Sequence, residues 1–118
     1  MDYRFINMEY LDSVSGGDTE IIKEIVLIFK DQSVEIYNEM RSFYSNGDFT
    51  SLGLLAHKAK SSVAIMGMND LATMLKTFEL QAKEARETQM YESYINRFRD
   101  ETTGAIIELE HIITTRQS

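Results

Sequence analysis

No proline occurs anywhere in this chain of 118 residues, so a helix can be ended only by glycine or by a capping side chain. Apolar residues recur at intervals of three and four along nearly its whole length, and no run alternates as a half-buried strand would. Those two facts together predict an all-helical protein. A short helix is expected over Met8–Ser13, and Ser13-Val14-Ser15-Gly16-Gly17 reads as a turn. Asp18 is a good N-cap for a long amphipathic helix whose row is Ile21, Ile25, Ile28, Phe29, Gln32, Ile36, Met40 and Phe43. Asn46-Gly47-Asp48 breaks that helix and caps the next, expected over Phe49–Met66 with Gly67 as its stop. Asn69 or Asp70 is expected to cap a fourth helix with the row Leu71, Leu75, Phe78, Ala82 and Ala85. Thr88 is expected to cap the last, whose row runs Tyr91, Tyr94, Ile95, Phe98, Thr102, Ala105, Ile106, Leu109, Ile112 and Ile113. Four long helices with short loops predict an antiparallel up-and-down four-helix bundle with a short extra N-terminal helix, as one domain over residues 1–118. Gly104 falls on the outer face of the last helix, where it costs about 1 kcal/mol relative to alanine and has no evident purpose.

Composition narrows the function classes. With 43% hydrophobic and 26% charged residues the chain reads as globular rather than disordered. It has no cysteine, which removes disulfides and thiolate chemistry and fits a reducing cytoplasm. The opening Met1-Asp2-Tyr3-Arg4 lacks the pattern of a signal peptide, and no apolar run approaches the roughly 18 residues of a membrane span. The net charge of -7 disfavours a nucleic acid, whose phosphates need a basic field.

The third helix carries the one candidate for chemistry. A helix turns about 100° per residue. With His57 at zero, Leu52, Leu55, Ala59, Ser62, Val63 and Met66 cluster on the opposite side, which is therefore the core face. Lys60, Ser61 and Ala64 lie beside His57, as do Gly53, Leu54 and Met68. Lys60, one turn away, can attract an anion that approaches or is attached to the imidazole. Small and apolar residues around a polar centre suggest a docking surface, to which methionine would lend adaptability. Each feature alone has an ordinary explanation. Surface histidines and solvated lysines are common, and Leu54 and Met68 are either part of that surface or covered by the short N-terminal helix or by a loop.

A neutral imidazole is available at physiological pH as a nucleophile that can take a group and pass it on. No serine or cysteine stands with a base and an oxyanion hole. Two histidines without metal-ligand spacing argue against a metal site, and His111 reads as a surface residue. There is no Gly-x-x-x-x-Gly-Lys phosphate cradle. If His57 carries phosphate, the donor is another protein rather than ATP bound by this chain.

Ala56-His57-Lys58-Ala59-Lys60-Ser61-Ser62, followed by Gly67, Leu71, Leu75 and Phe78-Glu79, resembles the histidine-containing phosphotransfer (HPt) domains of multistep two-component phosphorelays. The likeness spans about residues 6–86, including the opening Tyr10-Leu11-Asp12-Ser13-Val14-Ser15-Gly16-Gly17-Asp18. The last helix fits by length and pattern. The resemblance implies that His57 accepts a phosphoryl group from a receiver-domain phospho-aspartate and passes it to another receiver aspartate. Lys60 would stabilise the phosphoryl charge. Gly53, Leu54, Lys58, Ser61, Ala64 and Met68 would meet the receiver. Ser61 stands where most members have glycine, which bears on how closely the receiver approaches, and Ala59 replaces a usual leucine.

Symmetry about the Met68-Asn69 turn puts the neighbour of His57 near residues 79–81. The matching family position often bonds the imidazole, so Glu79 would accept from one ring nitrogen; the alternative is that Glu79 pairs with Lys60, Lys76 or Lys83. No cofactor is expected on this chain, the Mg²⁺ being the receiver's. The expected partners are receiver domains of response regulators or hybrid sensor histidine kinases, with no nucleic acid and no membrane, and a monomer is favoured. Met1 and the absence of a linker favour a free-standing module over a piece of a hybrid kinase. The other reading is a non-catalytic helical module that binds a protein through the His57 face.

Overall fold

The computed structural model describes residues 4–117, with the side chains of residues 116 and 117 left aside. Met1-Asp2-Tyr3, part of the stretch read as lacking a signal peptide, lies outside the described residues. Five α-helices follow one another: α1 (Met8–Ser15), α2 (Thr19–Asn46), α3 (Phe49–Ile65), α4 (Asn69–Lys83) and α5 (Tyr91–Gln117). Among the described residues there is no strand, and no helix is long and apolar enough to cross a membrane. The molecule measures 48 × 20 × 20 Å, its long axis matching a 28-residue α2 at about 1.5 Å per residue.

The helix ends follow local chemistry. The Asp18 carboxylate accepts from Glu20 N–H at the start of α2, and Gly47, at φ 70°, closes its end. Asp48 accepts from the backbone N–H and the hydroxyl of Ser51 at the start of α3. Gly67 follows α3 at φ 74°, a left-handed conformation that side chains resist. A Cβ there would also stand 3.2 Å from Asn7 and Tyr10. Two expected caps are corrected. Met68 occupies the N-cap of α4 without a side-chain bond, and Asn69 is already helical. Thr88 opens a 3₁₀ turn (Thr88–Met90) that feeds α5, so the backbone rather than a hydroxyl shapes that entry. α1 also runs two residues further than expected, to Ser15.

Helix α2 packs on α3, α3 on α4, α4 on α5 and α5 on α2, which closes the four long helices around one core. Lys30 pairs with Glu110 and Arg41 with Glu92, so α2 and α5 run in opposite directions. The core stripe of α2 is Ile22, Val26, Phe29, Ser33, Ile36 and Met40. This corrects the expected row: Ile21, Ile28 and Gln32 are exposed, because α2 carries more apolar residues than one buried stripe can use. In α5 the expected row is buried or half-buried throughout. Ala85 is corrected too. It lies beyond α4, exposed, at φ 53°. There the buried Tyr91 hydroxyl, 2.9 Å from the Gln81 carbonyl and 2.6 Å from that of Arg86, ties the loop to α5.

Gly104 has a purpose that its own helix does not reveal. A Cβ at this position would come within 2.3 Å of the Phe5 ring, so the N-terminal segment lies across α5 here. The Glu108 carboxylate holds the same segment, accepting from the backbone N–H of Arg4, Phe5 and Ile6 at 2.8, 3.0 and 3.2 Å.

Candidate functional site

His57 projects from the face of α3 opposite Leu52, Leu55, Ala59 and Val63, all buried. Its side chain is 57% exposed, against 8% for Glu79, and the two meet with Nδ1 and Oε1 3.0 Å apart. Glu79 lies on α4. Its backbone carbonyl and Lys83 face Gly53 across the helix contact, so α3 and α4 run in opposite directions and residue 57 meets residue 79.

Glu79 gathers three partners. Besides His57, Lys83 Nζ donates to Oε2 at 2.9 Å, and Lys60 Nζ stands 3.9 Å from Oε1, too far for a hydrogen bond but close enough for attraction. The Lys83 bond is the main cause holding the Glu79 carboxyl below its ordinary value; burial opposes it and the His57 bond assists. Glu79 is therefore ionised at neutral pH. An ionised carboxylate only accepts, so Nδ1 is the donor in this pair, and in the neutral form of the ring the lone pair then falls to Nε2. Glu79 therefore stands against the imidazole and against two lysines. Lys76 is exposed and is not among its partners.

Of the residues grouped around His57 by helical angle, Leu54, Ser61 and Ala64 are exposed and Lys60 is half-buried; Lys58, which the resemblance adds to the receiver-facing set, is exposed too. Two are not surface residues. Met68 is 4% exposed, in the turn to which Asn7 and Tyr10 of the N-terminal segment and α1 lie close. Gly53 is buried, its missing Cβ replaced by Glu79 O, Lys83 N and Lys83 Cγ, each 3.3 Å from where it would stand. It is a contact glycine between helices rather than a docking residue. Rotation about α3 alone does not show which neighbouring segments cover its faces.

Two grooves lie between α2 and α3. One, of about 190 Å³, is lined by Ile25, Ile28, Phe29, Ile65 and Met66, with Gln32 and Ser62 at its polar part. The Ser62 hydroxyl donates to Gln32 Oε1 at 3.3 Å. The other, of about 300 Å³, is lined by Glu39, Phe43, Ser51, Leu54, Leu55 and Lys58. Ile28 and Ile65, both more than half exposed, were missed as surface residues. The signal for Ile28 was present in the adjacent pair Leu27-Ile28, since a single stripe cannot bury both. Among the described residues no group of three His, Cys, Asp or Glu is placed to hold a metal ion.

The family model of the Hpt domain matches residues 24–113, and the chain belongs to that family. Its members serve phosphotransfer in two-component phosphorelays, where they interact with receiver domains. Searches of curated proteins and of solved structures gave no match.

Proposed function

We propose that this protein is a phosphorelay intermediate that carries a phosphoryl group on His57 between receiver aspartates. The observation that carries the reading is the pairing of a solvent-facing imidazole with the buried Glu79 carboxylate, which directs the lone pair to the outward nitrogen. In the forward step Nε2 attacks phosphorus in an aspartyl phosphate. The N–P bond forms, and the P–O bond to the aspartate breaks with its electron pair, restoring that carboxylate. Nδ1 keeps its proton, so the ring becomes a phosphoimidazolium whose positive charge faces Glu79. Attack by a second receiver's aspartate reverses these events. A Mg²⁺ held by the receiver would supply the screening of the phosphoryl oxygens. This chain contributes a positioned nucleophile and a complementary surface.

Lys60 stabilises the phosphoryl charge. Its ammonium makes no short bond to Glu79 and can swing to an anion on the neighbouring ring. Although the chain carries a net charge of -7, Lys58, Lys60 and Lys83 make the ground around His57 locally basic, which favours an incoming acyl phosphate. Leu54, Lys58, Ser61 and Ala64, with Ile28 and Ile65, form the receiver-facing surface. Ser61 in place of glycine sets the closest approach and brings a hydroxyl near the phosphoryl oxygens. The pairings between helices favour the up-and-down four-helix plan, and the module acts as a monomer in the cytoplasm.

The test is phosphotransfer from a phosphorylated receiver with Mg²⁺. An acid-labile, base-stable phosphate should appear on this chain and be absent from His57→Gln. Lys60→Ala should transfer roughly tenfold to a hundredfold more slowly with an unchanged melting curve. A label retained by His57→Gln would put the phosphate on another residue. A native chain that took no label, with His57→Ala still binding its partner and functioning normally, would instead be a binding module that uses this face without transfer.

A further inference from the structure

Glu79 is the centre of the site, yet its firmest bond is made to neither the imidazole nor Lys60. Lys83 Nζ donates to Oε2 at 2.9 Å, and Oε1 is thereby left to His57 Nδ1. The two oxygens of one carboxylate thus divide between a fixed cation and the reactive ring. We propose that Lys83 is a positioning residue for phosphoryl transfer: by holding Oε2, it fixes the carboxylate whose Oε1 keeps the proton of His57 on Nδ1 and the lone pair on Nε2. The inference rests on His57 being the phosphoryl acceptor.

Three observations carry it. First, the bond joins residues one helical turn apart, with glutamate N-terminal to lysine, the more favourable order. Second, the lysine stem is seated. Gly53 leaves room for it, with Lys83 Cγ and the backbone nitrogen of Lys83 each 3.3 Å from where a Cβ at residue 53 would stand. The absence of a side chain at Gly53 therefore serves the geometry of α4 directly. Third, Lys60 does not duplicate the role. At 3.9 Å from Oε1 it is beyond hydrogen-bonding distance, and it approaches the oxygen already taken by the imidazole. With Lys83 compensating the buried carboxylate, Lys60 is left to answer charge that arrives on the ring. A carboxylate 8% exposed and bonded only to the imidazole would lose the anchor on Oε2 and could turn, so that Oε1 would no longer be held at Nδ1.

Lys83 is half-exposed, so Lys83→Met removes the ammonium without emptying the core, and Lys83→Arg restores a cation. Nitrogen NMR of the neutral His57 ring reads the tautomer in the free, unphosphorylated protein. The Nδ1–H form should predominate in the native chain. In Lys83→Met its ratio to the Nε2–H form should fall by about fivefold, with a similar fall in transfer rate from a phosphorylated receiver. Lys83→Arg should recover both. A Lys83→Met protein with unchanged tautomer populations would overturn the proposal, even if transfer slowed, because Lys83 would then act on the phosphate or the partner directly. A shifted tautomer with unchanged transfer would overturn it equally. If no receiver phosphorylates the native chain, the phosphorelay reading fails instead, while the tautomer comparison still decides whether Lys83 governs the ring through Glu79.

Discussion

Glu79 and Glu108 are two carboxylates with opposite work. Glu108, half-buried on α5, accepts three backbone N–H groups from residues 4–6. Those donors do not titrate, and they lie more than a hundred residues away in sequence. Glu79 bonds an imidazole and a lysine, and the imidazole reaches solvent. The same functional group is a latch in one place and, in the function proposed above, an orienting device in the other. What separates them is the partner. A carboxylate bonded to amides can only hold the chain in place, whereas one bonded to a histidine also decides which nitrogen is reactive.

The largest expected consequence of that contrast is kinetic. Glu79→Ala should slow phosphoryl acceptance roughly tenfold to a hundredfold, since the ring loses its orienting acceptor. Its effect on stability should stay below about 1 kcal/mol, because Lys83 can rehydrate. A variant that transferred normally would break the comparison, and chevron or melting data alongside would show whether stability had changed instead.

The second consequence is structural. Glu108→Ala should cost about 1–2 kcal/mol and speed hydrogen exchange at the Phe5 and Ile6 amides, while leaving transfer at His57 unaltered. Slow exchange persisting at those amides would show that the Phe5 contact over Gly104 holds the segment without the carboxylate.

The smallest effect is a pH dependence at Glu79. Its carboxyl lies below the ordinary value of 4.5, chiefly through Lys83. Ionised Glu79 therefore favours the folded state above that value, and the contribution fades as pH falls through the lower folded value. Relative to Glu79→Gln, the native chain should gain less than about 1 kcal/mol near neutrality and lose that margin in acid. Urea midpoints measured at several pH values would reveal it. A margin that grew in acid would reverse the sign argued here.

How far the site was legible follows from the range of each interaction. The outward direction of His57 and the neighbourhood of Lys60 depend only on helical rotation within α3. Glu79 was reachable because a short turn at Gly67 folds α4 back on α3, so counting outward from the turn finds the facing residue. The Glu79–Lys83 spacing was visible as well, but whether the lysine served the site or only solvated it depended on which way α4 turned that face. The α2 stripe was misplaced because the helix is apolar on more than one side, and periodicity alone does not choose which side faces α3 and α5.

By itself, then, the sequence determined that this chain is helical, where most helices stop, and that one histidine stands opposite the core face of its helix. These are local matters of caps, glycines and a turn of about 100° per residue. Only the tertiary structure decided that Met68 and Gly53 are buried, that Gly104 makes room for Phe5, and that one carboxylate meets the imidazole while another latches the N-terminal segment. Each of those facts depends on which surfaces the packed helices bring within a few ångströms, and contacts between residues far apart in sequence leave no trace in local periodicity.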